Sequence, residues 1–242
     1  MVVKNQIKLI KSLQQKKYRI QHGLFVVEGI KMVRELLESN FRPHTIYTTV
    51  PEFMDYGSEV AHKISETDLK KISSLHTPNK VLAILYIPKS NEVNFSDWIV
   101  ALDDVRDPGN LGTIIRLCDW FGIQHLVCSP HTVDCYNPKV LQATMGSIAR
   151  INVIYTDLID FIEHAQVPVY GTFMDGDTVY TEVLPKKGIL IMGNEAKGIS
   201  GEVKQLIHKK ISIPQFGKKT TESLNVATAT AILLNELRRV GF

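Results

Sequence analysis

The chain has 242 residues, a formal net charge of +3, 44% hydrophobic residues and 22% charged residues. That length and balance suit one large domain or two small ones with a real core, and argue against disorder. The apolar runs, such as Val81-Leu-Ala-Ile-Leu-Tyr-Ile87, fall well short of the ~20 residues of a membrane span.

The N-terminal stretch alternates Lys with single apolar residues and lacks the apolar block of a signal peptide. Residues 1–27 carry Lys4, Lys8, Lys11, Lys16, Lys17 and Arg19 and no acid. Clustered positive charge of this kind favours nucleic acid, because neutralising phosphates releases counterions. A solvated basic helix face is an equally open reading. Within residues 4–15, Ile7, Ile10 and Leu13 recur at helical spacing. Leu24-Phe-Val-Val27 reads as a strand ending at Glu28-Gly29, followed by an amphipathic helix over 30–39 and a strand over 45–49. Thr67 is positioned to cap a helix over 68–75. Val81 to Ile87 is a buried strand stopped by Pro88. Residues 1–90 therefore predict a small α/β module, and the polar, turn-rich stretch 88–96 predicts a linker.

A second α/β unit starts at Trp98. Strands are expected at 98–105, 125–129, 151–155, 167–173, 188–193 and 210–213, and helices at 110–121, 138–149, 157–165, 200–207 and 223–239. Strands alternating with helices imply a mostly parallel sheet. The three cysteines, Cys118, Cys128 and Cys135, form no CxxC pair, which suits reduced thiols in a cytosolic protein. The eight histidines show no HExxH spacing, so no metal site is expected. GxxxxGK[ST] and GxGxxG phosphate loops are also missing.

Three short patches stand out. Asn110-Leu-Gly-Thr-Ile-Ile-Arg116 opens a helix after the turn Asp107-Pro-Gly-Asn110. Ile191-Met-Gly-Asn-Glu-Ala-Lys-Gly198 follows the apolar run Gly188 to Met192, with Glu195 where a buried strand ends. Ile213-Pro214 closes a third strand, and a loop carrying Lys218 and Lys219 leads to Ser223-Leu-Asn-Val-Ala227, where Ser223 is expected to cap the last helix. Each patch lies beyond the carboxyl end of an expected strand, where open α/β sheets bind ligands.

In order and spacing these patches resemble the three signature motifs of the SpoU (TrmH-like) RNA ribose methyltransferases, over residues 97–242. The resemblance implies a C-terminal domain with a deep trefoil knot, a feature no periodicity could reveal. It implies S-adenosyl-L-methionine held by the knot loops at Met192, Gly193, Ile213, Leu224, Asn225 and Ala227. It implies a homodimer whose site is completed across the interface, and methyl transfer to a ribose 2′-OH, in rRNA more readily than in tRNA. Arg116, Asn110, Glu195, Ser223 and Asn225 would form the catalytic set. Lys4, Lys16, Lys17, Arg19, Lys218 and Lys219 would contact RNA. One residue departs from the pattern: Ala196 stands where many members have Gly. A non-catalytic RNA-binding or assembly factor of the same fold is the rival reading, and an enzyme methylating a base nitrogen is a third.

Overall fold

The computed structural model of the chain describes residues 2–39, 41–217 and 223–239. The chain divides into two units, Met1–Lys89 with Tyr136–Ala149, and Ser90–Cys135 with Arg150–Phe242.

In the first unit the chain runs through α1 (Lys4–Ser12), α2 (Lys16–His22), β1 (Leu24–Glu28), α3 (Ile30–Glu38), β2 (Pro43–Thr48), β3 (Ala61–Lys63), α4 (Glu66–Ile72) and β4 (Val81–Tyr86). The sheet order is β1-β4-β2-β3, with β4 antiparallel to both β1 and β2. Leu24, Val26, Tyr47, Leu82 and Ile84 form one face of the core, closed by Ile10 and Leu13 at the N-terminal helices and by Leu69 and Ile72 of α4. The helix expected over 4–15 forms as α1, ending at Ser12, while α2, which begins at Lys16, was not foreseen. Thr67 does not cap α4. Ser65, extended at φ −77° and ψ 158°, does so, its Oγ accepting from the Asp68 N–H at 3.1 Å. Thr67 already lies inside the first turn, where its own backbone is helical.

The second unit carries β5 (Trp98–Leu102), α5 (Pro108–Trp120) and β6 (His125–Cys128), after which α6 (Pro138–Thr144) returns to the first unit. There Phe25 and Tyr136 meet with ring centroids 4.5 Å apart, and Val140 and Leu141 are buried. A single helix over 138–149 does not form, because Met145 adopts φ 51° and ends it. The second unit continues with β7 (Asn152–Tyr155), α7 (Leu158–Glu163), β8 (Val169–Thr178), β9 (Gly188–Met192), α8 (Gly201–Gln205), β10 (Lys209–Ser212) and α9 (Val226–Arg239).

The second sheet has the order β10-β8-β9-β5-β6-β7, and every pairing in it is parallel. Its central strands β5, β6 and β9 are buried along their whole length. This is what near-continuous apolar runs produce when both faces of a parallel sheet are covered. The stretch just before β5 is docked, not loose. Asn91 N–H donates to Asn152 Oδ1 at 3.0 Å, Asn152 Nδ2 donates to the Asn91 carbonyl at 2.9 Å, and Asn94 N–H donates to His125 Nε2 at 3.2 Å. Burial holds His125 below the usual histidine range, as its acceptor role requires.

Candidate active site at the strand ends

Because the six strands run parallel, the carboxyl ends of β5, β9 and β10 lie along one edge of the sheet, and the three sequence patches begin there. The loop after β5 turns sharply at Asp104, a non-glycine residue at φ 61°. Asp107 then caps α5, its Oδ1 accepting from the Asn110 N–H at 2.8 Å, with Pro108 in the first turn.

Glu195 reaches back to this loop from beyond β9. Its Oε1 accepts from Asn110 Nδ2 and from the Asp107 N–H, both at 3.1 Å, and its Oε2 accepts from the Arg106 N–H at 3.3 Å. Burial alone pushes this carboxyl up. The Asn110 hydrogen bond and the backbone donors outweigh that and hold it below the usual range. The amide of Asn110 is thus fixed with its nitrogen toward Glu195, which leaves Oδ1 to accept from Asn225 Nδ2 at 2.9 Å. Asn225 in turn uses Oδ1 to accept from the N–H groups of Ala227 (2.9 Å) and Thr228 (3.2 Å). Every amide orientation in the chain Glu195–Asn110–Asn225 follows from its neighbours. One hydrogen-bonded line ties the three patches together.

The same bonds correct the expected cap. Helix α9 begins at Val226, and Asn225 caps it. Ser223 lies upstream, exposed and outside the helix. Asn225 is also in the first patch's reach only because it sits before the helix, where its Nδ2 can turn away from the helix axis.

Two further residues hold the loops and were not singled out in the sequence. Asn194 Nδ2 donates to the Asp104 carbonyl at 2.6 Å, while its Oδ1 accepts from the N–H groups of Ala196 and Lys197. Asp103 accepts from the Ser200 N–H at 2.6 Å and donates its own N–H to the Met192 carbonyl at 2.9 Å. An acid directly after a fully apolar strand was the available signal for Asp103, and Asn194 lies inside the second patch itself.

The remaining expected site residues divide by environment. Met192 and Ala227 are buried, Ile213 is half-buried, and Leu224 is 48% exposed. Gly193 lies so close to the returning backbone that a Cβ there would meet the Gly198 carbonyl carbon at 2.3 Å. Asn194 and Gly198 are bridged by two backbone hydrogen bonds of 3.0 and 2.9 Å. With glycine at both ends of this turn, no side chain at those two positions stands between the backbone and a ligand. Thr178, opposite Ser212 in the β8–β10 register, has a buried Oγ1 with no hydrogen-bond partner among the described residues. It stands next to the strand end that leads into Ile213. Arg116 is exposed on α5 and makes no hydrogen bond or ion pair with a described residue. Lys218 and Lys219 lie outside the described residues. Among the described residues no group of three His, Cys, Asp or Glu side chains could hold a metal ion.

In the first unit Lys4, Lys16 and Lys17 are exposed on α1 and α2. Arg19, expected beside them as an RNA contact, is 2% exposed, and its Nη1 donates to the Leu13 carbonyl at 2.8 Å. An arginine used to satisfy a buried carbonyl is not presented to a phosphate.

Glu195→Gln is expected to loosen the loop after β5. A glutamine keeps one acceptor oxygen but turns an amino group toward backbone donors. Amide exchange at Arg106 and Asp107 should quicken, and unchanged protection there would refute the anchoring role. In the native chain the same anchor should persist down through neutral pH. It is fully present above the ordinary carboxylate pKa and is lost as the pH falls through the lowered one.

The family model of the SpoU rRNA Methylase family matches residues 97–235, and that of the MRM3-like substrate binding domain matches residues 4–83. The Bacillus subtilis 23S rRNA (guanosine(2553)-2'-O)-methyltransferase RlmP is 32% identical over 244 residues, covering 97% of each chain. A TrmH-family protein from Porphyromonas gingivalis superposes with a TM-score of 0.90 at 37% identity, over 99% of both chains. The AdoMet-bound rRNA methyltransferase from Sinorhizobium meliloti superposes with a TM-score of 0.88 at 31% identity, over 99% of this chain and 96% of that one.

Proposed function

The chain belongs to the SpoU rRNA methylase family, and from this we infer that the cluster at the strand ends transfers a methyl group to a ribose 2′-OH of rRNA. The protein is an RNA 2′-O-methyltransferase that uses S-adenosyl-L-methionine. The observation that carries this reading to particular residues is the Glu195–Asn110–Asn225 line, which brings all three motifs to one place.

The cofactor supplies an electrophilic methyl group on a sulfonium. Gly193, Met192, Ile213, Leu224, Asn225 and Ala227 would hold it. The tight Gly193–Gly198 turn and the unpartnered Thr178 hydroxyl beside β10 suit a polar ligand laid against backbone. Much of what the protein then does is positioning. Glu195 and Asn110 fix the loop that starts α5. Asn225 fixes the start of α9, and Ser223, exposed two residues before it, would help orient the ribose. Arg116 faces outward with its fork of donors uncommitted. It is suited to hold an RNA phosphate and to stabilise the oxyanion as the hydroxyl loses its proton. A planar fork of donors suits a phosphate clamp better than a base. Lys4, Lys16 and Lys17 would meet RNA phosphates from the first unit, and Lys218 and Lys219 are candidates for the same task. The two parts, 1–90 and 97–242, would divide RNA binding from chemistry.

Calorimetry with S-adenosyl-L-methionine in excess chelator should show stoichiometric binding. A folded protein that fails to bind under those conditions would overturn the assignment.

The family reading also carries a trefoil knot, a homodimer and a cytoplasmic location. In support of the knot, the chain passes from β9 to β10 across β8, which lies between them in the sheet. Of the small residues of α9, Ala227 is buried within the chain, while Ala229 and Ala231 are half-buried and would suit close packing against a second copy. Further support comes from Trp120, 84% exposed near the end of α5. Tryptophan is enriched at protein–protein interfaces. Sedimentation at micromolar concentration should give roughly twice the 27.3 kDa of one chain. An active monomer would refute a shared site.

A further inference from the structure

Where β4 leaves the four-stranded sheet, three segments of the first unit meet. The Tyr86 N–H donates to the Arg42 carbonyl at 3.0 Å, and the Ile87 N–H to the Gly23 carbonyl at 2.8 Å. Tyr86 stands opposite Leu24 in the β1–β4 register. The segments 16–23, 41–45 and 85–89 contain Lys16, Lys17, Arg19, His22, Arg42, His44 and Lys89, and no Asp or Glu. Arg19 is turned inward, whereas Lys16, Lys17, His22, Arg42 and Lys89 are exposed.

The fold therefore gathers basic residues from three stretches of chain that themselves contain no acid. Within it, the Arg42 guanidinium lies over the Tyr86 ring, 3.9 Å from its centroid. The His44 ring approaches Tyr86 at 5.6 Å, with Nδ1 2.8 Å from Thr45 Oγ1. Burial lowers the His44 pKa from its usual value. Arg42 makes no ion pair with a described acid. An exposed arginine ordinarily samples many rotamers. Here the ring anchors the guanidinium of an exposed residue, which restricts where its planar group and fork of donors are held.

We propose that Arg42, laid on Tyr86, is a binding site for an unpaired RNA nucleotide. The base stacks on the outer face of the guanidinium, and the flanking phosphates lie toward Lys17 and Lys89. Arginine planes and aromatic rings are the surfaces on which single-stranded RNA bases stack. The exposed Lys16, Lys17 and Lys89 would supply the phosphate attraction. This deepens the RNA reading above and rests on it. It moves the focus of RNA recognition from the helical lysines to the sheet end.

The test uses the full chain and a fluorescein-labelled single-stranded RNA dodecamer, with the same sequence as a duplex for comparison. Wild type should prefer the single strand. Arg42→Ala should weaken single-strand binding by roughly fivefold or more, the scale of one lost base stack. Arg42→Lys keeps the charge but loses the plane, and should weaken binding nearly as much with the salt slope unchanged. Tyr86→Phe keeps the ring and should bind as wild type. Cofactor affinity should be the same in all, and an unchanged circular dichroism spectrum and melting temperature show that each variant is folded. Wild-type binding by Arg42→Lys, or a preference of the native chain for the duplex, overturns the site while leaving the methyltransferase reading intact. No RNA binding by the native chain overturns the RNA reading and this site with it.

Discussion

Arg116→Ala is expected to lower methyl transfer by roughly a hundred- to a thousandfold, the scale of removing one preorganised donor from a developing oxyanion. Cofactor affinity should persist, because this side chain makes no hydrogen bond or ion pair with any described residue assigned to the cofactor. Arg116 sits on α5, whose start is locked by the Asp107 cap and by the Glu195–Asn110 bond. The helix is therefore held whatever residue occupies position 116, and the loss should appear in chemistry and not in folding. Arg116→Lys separates two roles. If the guanidinium clamps a phosphate with two parallel hydrogen bonds, lysine should not rescue, since it offers a point charge without the planar fork. If instead the side chain takes the proton of the 2′-OH, lysine should rescue, with activity rising steeply at high pH. Near-normal turnover in the alanine variant would remove Arg116 from the site, and the step would fall to Asn110 or Glu195. Single-turnover methylation of an rRNA fragment measures all three outcomes.

Gly193→Ala is expected to abolish measurable cofactor binding and to destabilise the second unit by about 1–3 kcal/mol, the usual range for forced overpacking. The added methyl would lie 2.3 Å from the Gly198 carbonyl carbon and 2.4 Å from the Ile199 nitrogen. Both neighbours are backbone, so relief requires the turn itself to move. That turn carries the paired bonds between Asn194 and Gly198. It also carries the Asn194 bond to the Asp104 carbonyl and the Ser200 bond to Asp103. Moving it would detach Glu195 from the start of α5. Gly201→Ala is the matched control, because a Cβ there meets nothing within 4 Å, and its stability should stay within about 0.5 kcal/mol of wild type. Calorimetry with the cofactor and thermal unfolding would decide the case, and full cofactor affinity in Gly193→Ala would refute the turn as a cofactor cradle.

Much of the second unit was legible in the sequence, and for a local reason. Strands such as Gly188–Met192 are apolar on both faces, and helices such as Pro108–Trp120 open with a capping acid and a proline. Each signal lies within a dozen residues, so no knowledge of distant chain is needed to read it. The three patches were legible as well, because a strand end followed by Gly, Asn or Pro is a local event. The errors fell where two local solutions competed. Ser65 and Thr67 could each have capped α4, as Ser223 and Asn225 could each have capped α9. Packing beyond the helix chose between them.

The amino-acid sequence by itself determined the alternation of strands and helices, the parallel character of the larger sheet and the pieces of the active site, since burial period and turn chemistry are written in neighbouring residues. Only the tertiary structure decided what those pieces touch. It joined Asn225 to Asn110 across 115 positions and Glu195 to Asn110 across 85. It returned residues 136–149 to the first unit. It turned Arg19 inward while leaving Arg42 exposed and over the Tyr86 ring. A hydrogen bond needs its partners within about 3 Å, and for residues so far apart along the chain that proximity is fixed by sheet order and strand direction, not by spacing in the sequence.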